Sequence, residues 1–343
     1  ELGRHLRAVN LSELPDEALV VPVGGMGAPT VGLEKLGRGD EGAIAVQSIA
    51  EHFGVAIAAT VPIEIGGGNS IGPLIAAAQL GLPMVDADGM GRAFPEGSMI
   101  SYYFDGRATP CAIMVDSRHR QITFENIPGT IELERVSRAM CVQFGGSAQV
   151  ADAPIPVGRL REVAIRDTLT QARNLGDAVL RAQGASGDPV EEICRESGGR
   201  RFFAGKVTDV DRRVERGYNF GRLTLEGTDR CKGQRATIDV QNEFLILRVD
   251  GDLLATVPDI ITLVDQERGL PITTEVVRYG LRVQVLGIPA AKQLTTEQAL
   301  RWVGPRAFGY DLDFTPLEVA TADDRRRHEK PRQTTLRLPD PAG

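Results

Sequence analysis

The 343-residue chain is poor in the residue types on which several common chemistries rest. It has four histidines, one tryptophan and five tyrosines. His5, His52, His119 and His328 lie far apart, with no second histidine at ligand spacing. A histidine-rich zinc site is therefore not expected, and His52 and His119 read as surface residues. The four cysteines, Cys111, Cys141, Cys194 and Cys231, show no CxxC spacing. All are expected to be reduced, as in a cytoplasmic protein, and neither Cys111 nor Cys141 has a histidine alongside to make it a nucleophile. A basic surplus is also missing. With 39 Lys and Arg against 46 Asp and Glu, the net charge of −7 and few aromatics argue against a nucleic-acid partner. No apolar run reaches membrane-spanning length or has the form of a signal sequence, so no membrane partner is expected. No P-loop pattern is present and the glycines after Val23 do not follow GxGxxG, which leaves nucleotide enzymes unsupported. The first residue is Glu1, not Met, so further chain ahead of it is expected.

What the chain does hold is concentrated between Val55 and Glu96. The β-branched run Val55 to Val61 predicts a buried strand, and Gly66-Gly67-Gly68 a tight turn. Asn69 and Ser70 are placed to cap a helix ending at Gly81, and Met84-Val85 begins a second strand that leads into Asp86-Ala87-Asp88-Gly89. In such a unit the second strand lies parallel to the first, and open α/β sheets bind ligands beyond the carboxyl ends of their strands. Glu64 follows one such end; Asp86 and Asp88 follow the other and share a face if the strand continues. Glu64, Asp86 and Asp88 are thus the candidate catalytic residues. Carboxylates gathered in this way act as general acid and base, or together hold a divalent ion that lowers the pKa of water. The same residues are the candidate metal ligands, and one divalent metal, zinc foremost, is the expected cofactor. The plainer alternative has Asp86 capping a loop and Asp88 bonding the turn at Gly89–Gly91. Arg92 either grips a substrate carboxylate or pairs with Glu96 or Asp86.

Taken in order, a strand from Ala18 to Val23 empties into the glycine-rich loop Gly24–Thr30, where Gly27 either contacts ligand or makes a plain turn. A helix follows over Asp40–Phe53. Past Glu96, strands are predicted at 98–104, 110–115 and Gln121–Glu125, a helix at Ile131–Gln143, and helical segments at 159–183 and 188–197, with Asp188 as N-cap. From Phe202 to Leu286 the chain alternates at period two, predicting a small β-barrel or sandwich. Asn242 and Asp259, at strand boundaries there, either reach the α/β edge or satisfy turn backbone. The fold class is α/β: an N-terminal α/β domain with a mainly parallel sheet (1–165), a helical connection (166–198), a β-rich barrel-like domain (199–320) and a charged extension (321–343). The candidate substrate-binding residues are Gly27, Gly66, Gly67, Asn69, Arg92, Glu96 and Asn242, and a homo-oligomer is expected.

These segments resemble a known family. Pro62-Ile63-Glu64-Ile65-Gly66-Gly67, Asn69-Ser70, the run Val85 to Glu96 and Met26 to Thr30 are similar to the S-methyl-thiohydantoin desulfurase (DUF917) family. Gly145 to Ala148, Gly205-Lys206-Val207, Gln241-Asn242-Glu243, Val257-Pro258-Asp259, Pro271 to Glu275 and Gly304 to Asp311 agree in order. The resemblance implies an α/β domain joined to a barrel-like one, and bacterial hydantoin or thiohydantoin catabolism, including sulfur removal from a thiohydantoin-propionate. It also implies a small-molecule substrate and association with hydantoinase- or oxoprolinase-type protein partners. Family members usually carry a helix and a glycine run ahead of the strand at Ala18–Val23, a segment these residues do not contain. The expected activity is hydrolysis of a C–S or C–N bond in a cyclic (thio)ureide, with a non-catalytic ligand-binding subunit as the alternative.

Overall fold

The computed structural model describes residues 6–32, 34–215 and 218–317, the side chains of Pro29 and Thr30 excepted. The extension expected over 321–343 lies outside the described residues. Short runs of small and β-branched residues build the first sheet. β1 (Ala8–Val9), β2 (Leu19–Gly27), β3 (Ala59–Pro62) and β4 (Met84–Val85) lie parallel in the order β1-β4-β3-β2. Beyond β2 the sheet turns antiparallel, through β8 (Ser147–Asp152) to β6 (Ala112–Val115) and β7 (Gln121–Phe124). Both faces are covered. Val21 and Val23 pack with Ala45, Val46 and Ile49 of α2 (Glu41–Phe53), while Met114 and Val150 pack with Leu133 and Cys141 of α4 (Thr130–Gln143). Continuous apolar strands are what a sheet buried on both faces requires.

Several predicted elements differ from this. Only Ala59–Pro62 of the Val55 run is strand. The stretch predicted as strand 98–104 instead forms two 3-10 turns, Gly97–Met99 and Ser101–Tyr103, which drive Tyr102 and Tyr103 into the core; the Tyr102 hydroxyl donates to the Pro62 carbonyl at 3.1 Å. The helix predicted at 159–183 is broken. After α5 (Val157–Val163) comes β10 (Ile165–Arg166), which pairs antiparallel with β5 (Ala87–Asp88), and left-handed Asp167 (φ 61°) opens α6 (Thr168–Gly184). Asp188 does cap α7 (Pro189–Ser197), its carboxylate accepting from Val190 N and Glu191 N.

The period-two region forms one eight-stranded antiparallel sheet. Its strands are β11 (Arg200–Glu215), β12 (Tyr218–Gly227), β13 (Arg235–Gln241), β14 (Glu243–Val249), β15 (Asp252–Thr256), β16 (Ile260–Asp265), β17 (Pro271–Ile272) and β18 (Arg282–Ile288). The order is β15-β14-β13-β12-β11-β18-β16-β17, and the sheet curls until β16 packs against β14. It therefore has a barrel-like form, not that of a two-sheet sandwich.

The two halves share a core. Val20, Ala59, Val61 and Val85 of the first sheet cluster with Leu245 and Ile246 of the second, with Val257 of the turn after β15, and with Ala299 and Val303 of α8 (Glu297–Val303). Arg92 pins this seam. Its Nη1 donates to the Asp259 carbonyl at 2.7 Å, its Nη2 to the Phe244 carbonyl at 3.0 Å, and its Nε to the Ala93 carbonyl at 3.1 Å. The guanidinium also lies over the Phe94 ring, 5.0 Å from its centroid. Replacing Arg92 by Met keeps the bulk but leaves those carbonyls without donors. Such a loss costs about 2–5 kcal/mol, so the Arg92→Met variant is expected to unfold at clearly lower urea concentration; an unchanged midpoint would show that Arg92 does not hold the seam.

Candidate active site

A cleft of about 650 Å³ opens at this seam, between the carboxyl ends of β2 and β3 on one side and the start of β14, β16 and β17 on the other. Glu64 enters it from just beyond β3. Its Oε1 accepts from Asn69 Nδ2 at 2.7 Å, and Asn69 Oδ1 in turn accepts from the Gly25 N–H at 2.6 Å. Asn69 therefore does not cap α3 (Gly68–Leu80), as predicted; it ties that helix to β2 and aims Glu64. Burial is the main cause that raises the Glu64 carboxyl to about 8, with the charge of Glu243 next, against the opposing pull of Asn69 and the Phe94 N–H.

Glu243, the first residue of β14, comes from the other half of the chain. Burial lifts it to about 7, Arg92 draws it down, and Glu275 pushes it up. Among the described residues no N–H or O–H donates to the Glu243 carboxylate. Asp152, at the end of β8, is also on the wall. Burial raises it to about 6, against the opposing effect of the Tyr103 hydroxyl, which donates to it. Glu96 is raised by burial and by Glu134, and accepts from the Ser98 hydroxyl at 3.3 Å. Arg138 lines the wall behind it, bonded to Glu134, to the Pro95 carbonyl, and stacked 4.4 Å from the Tyr218 ring centroid.

The predicted carboxylate trio does not converge. The chain bends at Asp86, between β4 and β5, so Asp86 and Asp88 do not share a strand face. Asp86 is turned away from the cleft. Its carboxylate accepts from Leu169 N (2.9 Å), Thr170 N (3.2 Å) and the Thr170 hydroxyl (2.5 Å), and so binds the first turn of α6. Asp88 is fully buried behind the cleft, and one oxygen takes the N–H groups of Ile65, Met90 and Gly91 at 2.8–3.1 Å. Burial raises it to about 6 against those three donors. It holds in place the loops that carry Glu64 and Arg92, which is a positioning role. Glu64, Asp86 and Asp88 thus do not form a metal site, and among the described residues no three His, Cys, Asp or Glu side chains meet as one.

Gly27, Gly66, Gly67, Asn69, Arg92, Glu96 and Asn242 all line the cleft. The glycines after Val23 lie in β2 itself and not in a loop. At Gly27 (φ 155°) a Cβ would lie 2.3 Å from the Gly146 carbonyl, so only glycine lets β2 pass there. Asn242 (φ 54°) accepts from Asn219 N at 2.8 Å, which satisfies strand backbone. Arg92 neither pairs with Glu96 or Asp86 nor extends into the cleft as a free fork, because carbonyls already hold it. Glu243, Glu275, Asp152 and Arg138 were not predicted. The break in alternation at Gln241-Asn242-Glu243 was the available signal, and the carboxylate, not the amide, is what it delivers. His52 and His119 pair with Glu125 and Asp40 away from the cleft. All four cysteines are buried and free, and burial pushes Cys111 and Cys194 up to about 11.

Fold and cleft together define a two-part architecture, an α/β sheet joined at a charged seam to a curled antiparallel sheet. The X-ray structure of a protein from Chromobacterium violaceum has this fold: it aligns with a TM-score of 0.77 and 23% identity, over 91% of this chain and 88% of that one. The chain belongs to the S-Me-THD-like family. Its N-terminal domain model matches residues 1–126 and its C-terminal domain model residues 129–317. The second segment begins before β8, which is hydrogen-bonded into the first sheet. Membership supports a thiohydantoin-related function. No curated protein matches the chain. No helix among the described residues is long and apolar enough to cross a membrane.

Two outcomes are expected. Asp86→Ala should cost about 1–2 kcal/mol, as loss of a helix cap does, with ligand binding in the cleft unchanged by calorimetry; lost binding would return Asp86 to the site. For Glu64, the folded value of about 8 stands above the ordinary 4.5. The folded state then retains a proton that the unfolded chain releases, so this group's contribution to stability falls as pH rises from about 4.5 to about 8. Glu64→Gln removes that fall, and its stability relative to the parent should grow across the window in urea titrations. A constant difference would mean that Glu64 titrates normally.

Proposed function

We propose that the protein is a desulfurase-like hydrolase that cleaves the C–S bond of a cyclic thiohydantoin, or a C–N bond of a hydantoin, in the catabolism of such rings. The observation that carries this reading is the pairing in one cleft of Glu64 and Glu243, two carboxyls from different halves of the chain, raised to about 8 and about 7. Near neutral pH one is suited to donate a proton and the other to accept one.

In this reading Glu243 takes a proton from water as its oxygen attacks the C=S carbon, and the π electrons move to sulfur. Glu64 donates its proton to that sulfur. The tetrahedral carbon then collapses: its hydroxyl proton returns to Glu64, the proton on Glu243 passes to the leaving sulfur, and the C–S bond breaks. Water plus C=S becomes C=O plus hydrogen sulfide. The start of α3, with Gly66 and Gly67 on the cleft wall, turns its positive dipole end toward the developing charge. A non-catalytic small-ligand-binding subunit of a hydantoinase- or oxoprolinase-type assembly is the second reading. It draws on the fact that no histidine or cysteine among the described residues lines the cleft. Homo-oligomerisation, a divalent-metal requirement and a cytoplasmic location are further proposals, open to light scattering, an assay with chelator, and cell fractionation.

The test is sulfide release from thiohydantoins by the full chain. Glu64→Gln and Glu243→Gln are each expected to lower kcat by about 10²-fold or more. The parent's kcat/KM should rise with pH as Glu243 ionises near 7 and fall as Glu64 loses its proton near 8. A flat profile, or full turnover in both variants, would remove the pair from the chemistry. Ring binding without turnover would favour the binding-subunit reading.

A further inference from the structure

The cleft also holds a neutral side chain that its acid–base chemistry leaves unused. Gln149, in β8, lines the cleft and lies directly across from Gly25 of β2. Its carboxamide makes no hydrogen bond among the described residues. Three glycines border it. A Cβ on Gly25 would lie 3.1 Å from Gln149 Nε2, and Cβ atoms on Gly72 of α3 and Gly42 of α2 would lie 3.5 and 3.9 Å from Gln149 Oε1. No side chain from those three positions covers either end of the amide. The same point above Gly25 is 3.2 Å from Asn69 Oδ1, which places Gln149 beside the amide that aims Glu64. The register of β8 on β2 is held by backbone pairing from Val23 to Gly27, so the Gln149 side chain is not needed for it.

A carboxamide offers N–H donors and a carbonyl acceptor side by side. The ring of a hydantoin or thiohydantoin presents the complement, an N–H next to a C=O in one plane. We propose that Gln149 reads this edge, its carbonyl accepting from the ring N–H and its amide N–H donating to the ring C=O, and so selects rings in which that nitrogen is unsubstituted. This rests on the cyclic-ureide reading of the same cleft and deepens it. The pairing is neutral and uses neither Glu64 nor Glu243. Two bonds fix the plane of the ring, and the carbon that bears sulfur, bonded to the same nitrogen, is left to the two carboxyls. A site that hydrogen-bonds a substrate N–H rejects the analogue lacking it, because its own polar group is then left unpaired.

The test is calorimetric binding of three compounds to the full chain: hydantoin-5-propionate, the same ring methylated on the nitrogen between its carbonyls, and the ring-opened N-carbamoylglutamate. The parent is expected to bind the unmethylated ring about tenfold more tightly than the methylated one. Gln149→Met, of similar length without the amide, should weaken the unmethylated ring about tenfold and leave the methylated ring unchanged, so that the ratio falls toward one. Gln149→Ala should do the same without adding bulk, and thermal melting checks that each variant is folded. Equal affinity of the parent for the two rings, or a ratio that both variants leave unchanged, would overturn the Gln149 assignment while leaving the ring reading intact. N-carbamoylglutamate bound with neither ring bound, or no binding by any of the three, would remove the ring reading and the assignment with it.

Discussion

A single buried guanidinium sets the relation between the two halves of this protein. Arg92 arises from the α/β half, and two of its three hydrogen bonds go to the other, through the carbonyls of Phe244 and Asp259. Buried arginine is tolerated only where its donors are matched, because desolvation of the charge otherwise exceeds what the fold can offset. Burial lowers Arg92 to about 10, which still leaves it cationic near neutrality. Matching it demands that β14 and the turn before β16 lie against the loop after β5, and that placement creates the cleft. Glu134 with Arg138 and Tyr218 repeats the device at the other wall, where the Tyr218 hydroxyl donates to Glu134 at 3.1 Å.

The acid–base character of the cleft is a consequence of that closure. Neither Glu64 nor Glu243 has an unusual sequence neighbour. Each is raised mainly by burial at the seam, and each then feels charge from across the seam or from beside it. Separated from each other, both would return toward ordinary carboxylate behaviour. The raised carboxyls therefore belong to the interface and to neither half alone, and a mutation that loosens the seam acts on them through solvation.

This explains how far the residues could be read in advance. Local signals were good guides: Gly54 and Gly81 end their helices in left-handed conformations, Asp188 caps α7, and period-two alternation delivers the second sheet. Glu64, Asn69, the glycines around them and Arg92 were legible as a site because they follow a strand end beside a helix start. Asp86 and Asp88 misled because period-two reasoning holds only while a strand continues, and here the chain bends to pair β5 with β10. Glu243 was marked only by the polar break at Gln241-Asn242-Glu243, and its pairing with Glu64 was not legible, since Glu243 lies far along the chain and the pairing depends on how one sheet seats on another. No local pattern encodes that distance.

Arg92 also acts on the two carboxyls of the cleft. It draws the Glu243 carboxyl down, and its own guanidinium is in turn held up by Glu243, Asp259 and Glu64, so its charge reaches both carboxyls; Glu243 and Asp88 oppose the ionisation of Glu64. Glu64 keeps its proton longer even though Asn69 and the Phe94 N–H bond to it, so repulsion and burial outweigh those two donors. Without Arg92, Glu243 would lose the main influence that draws its carboxyl down. The residue that joins the halves mechanically is thus also one whose charge acts on both carboxyls, and the two effects cannot be varied independently.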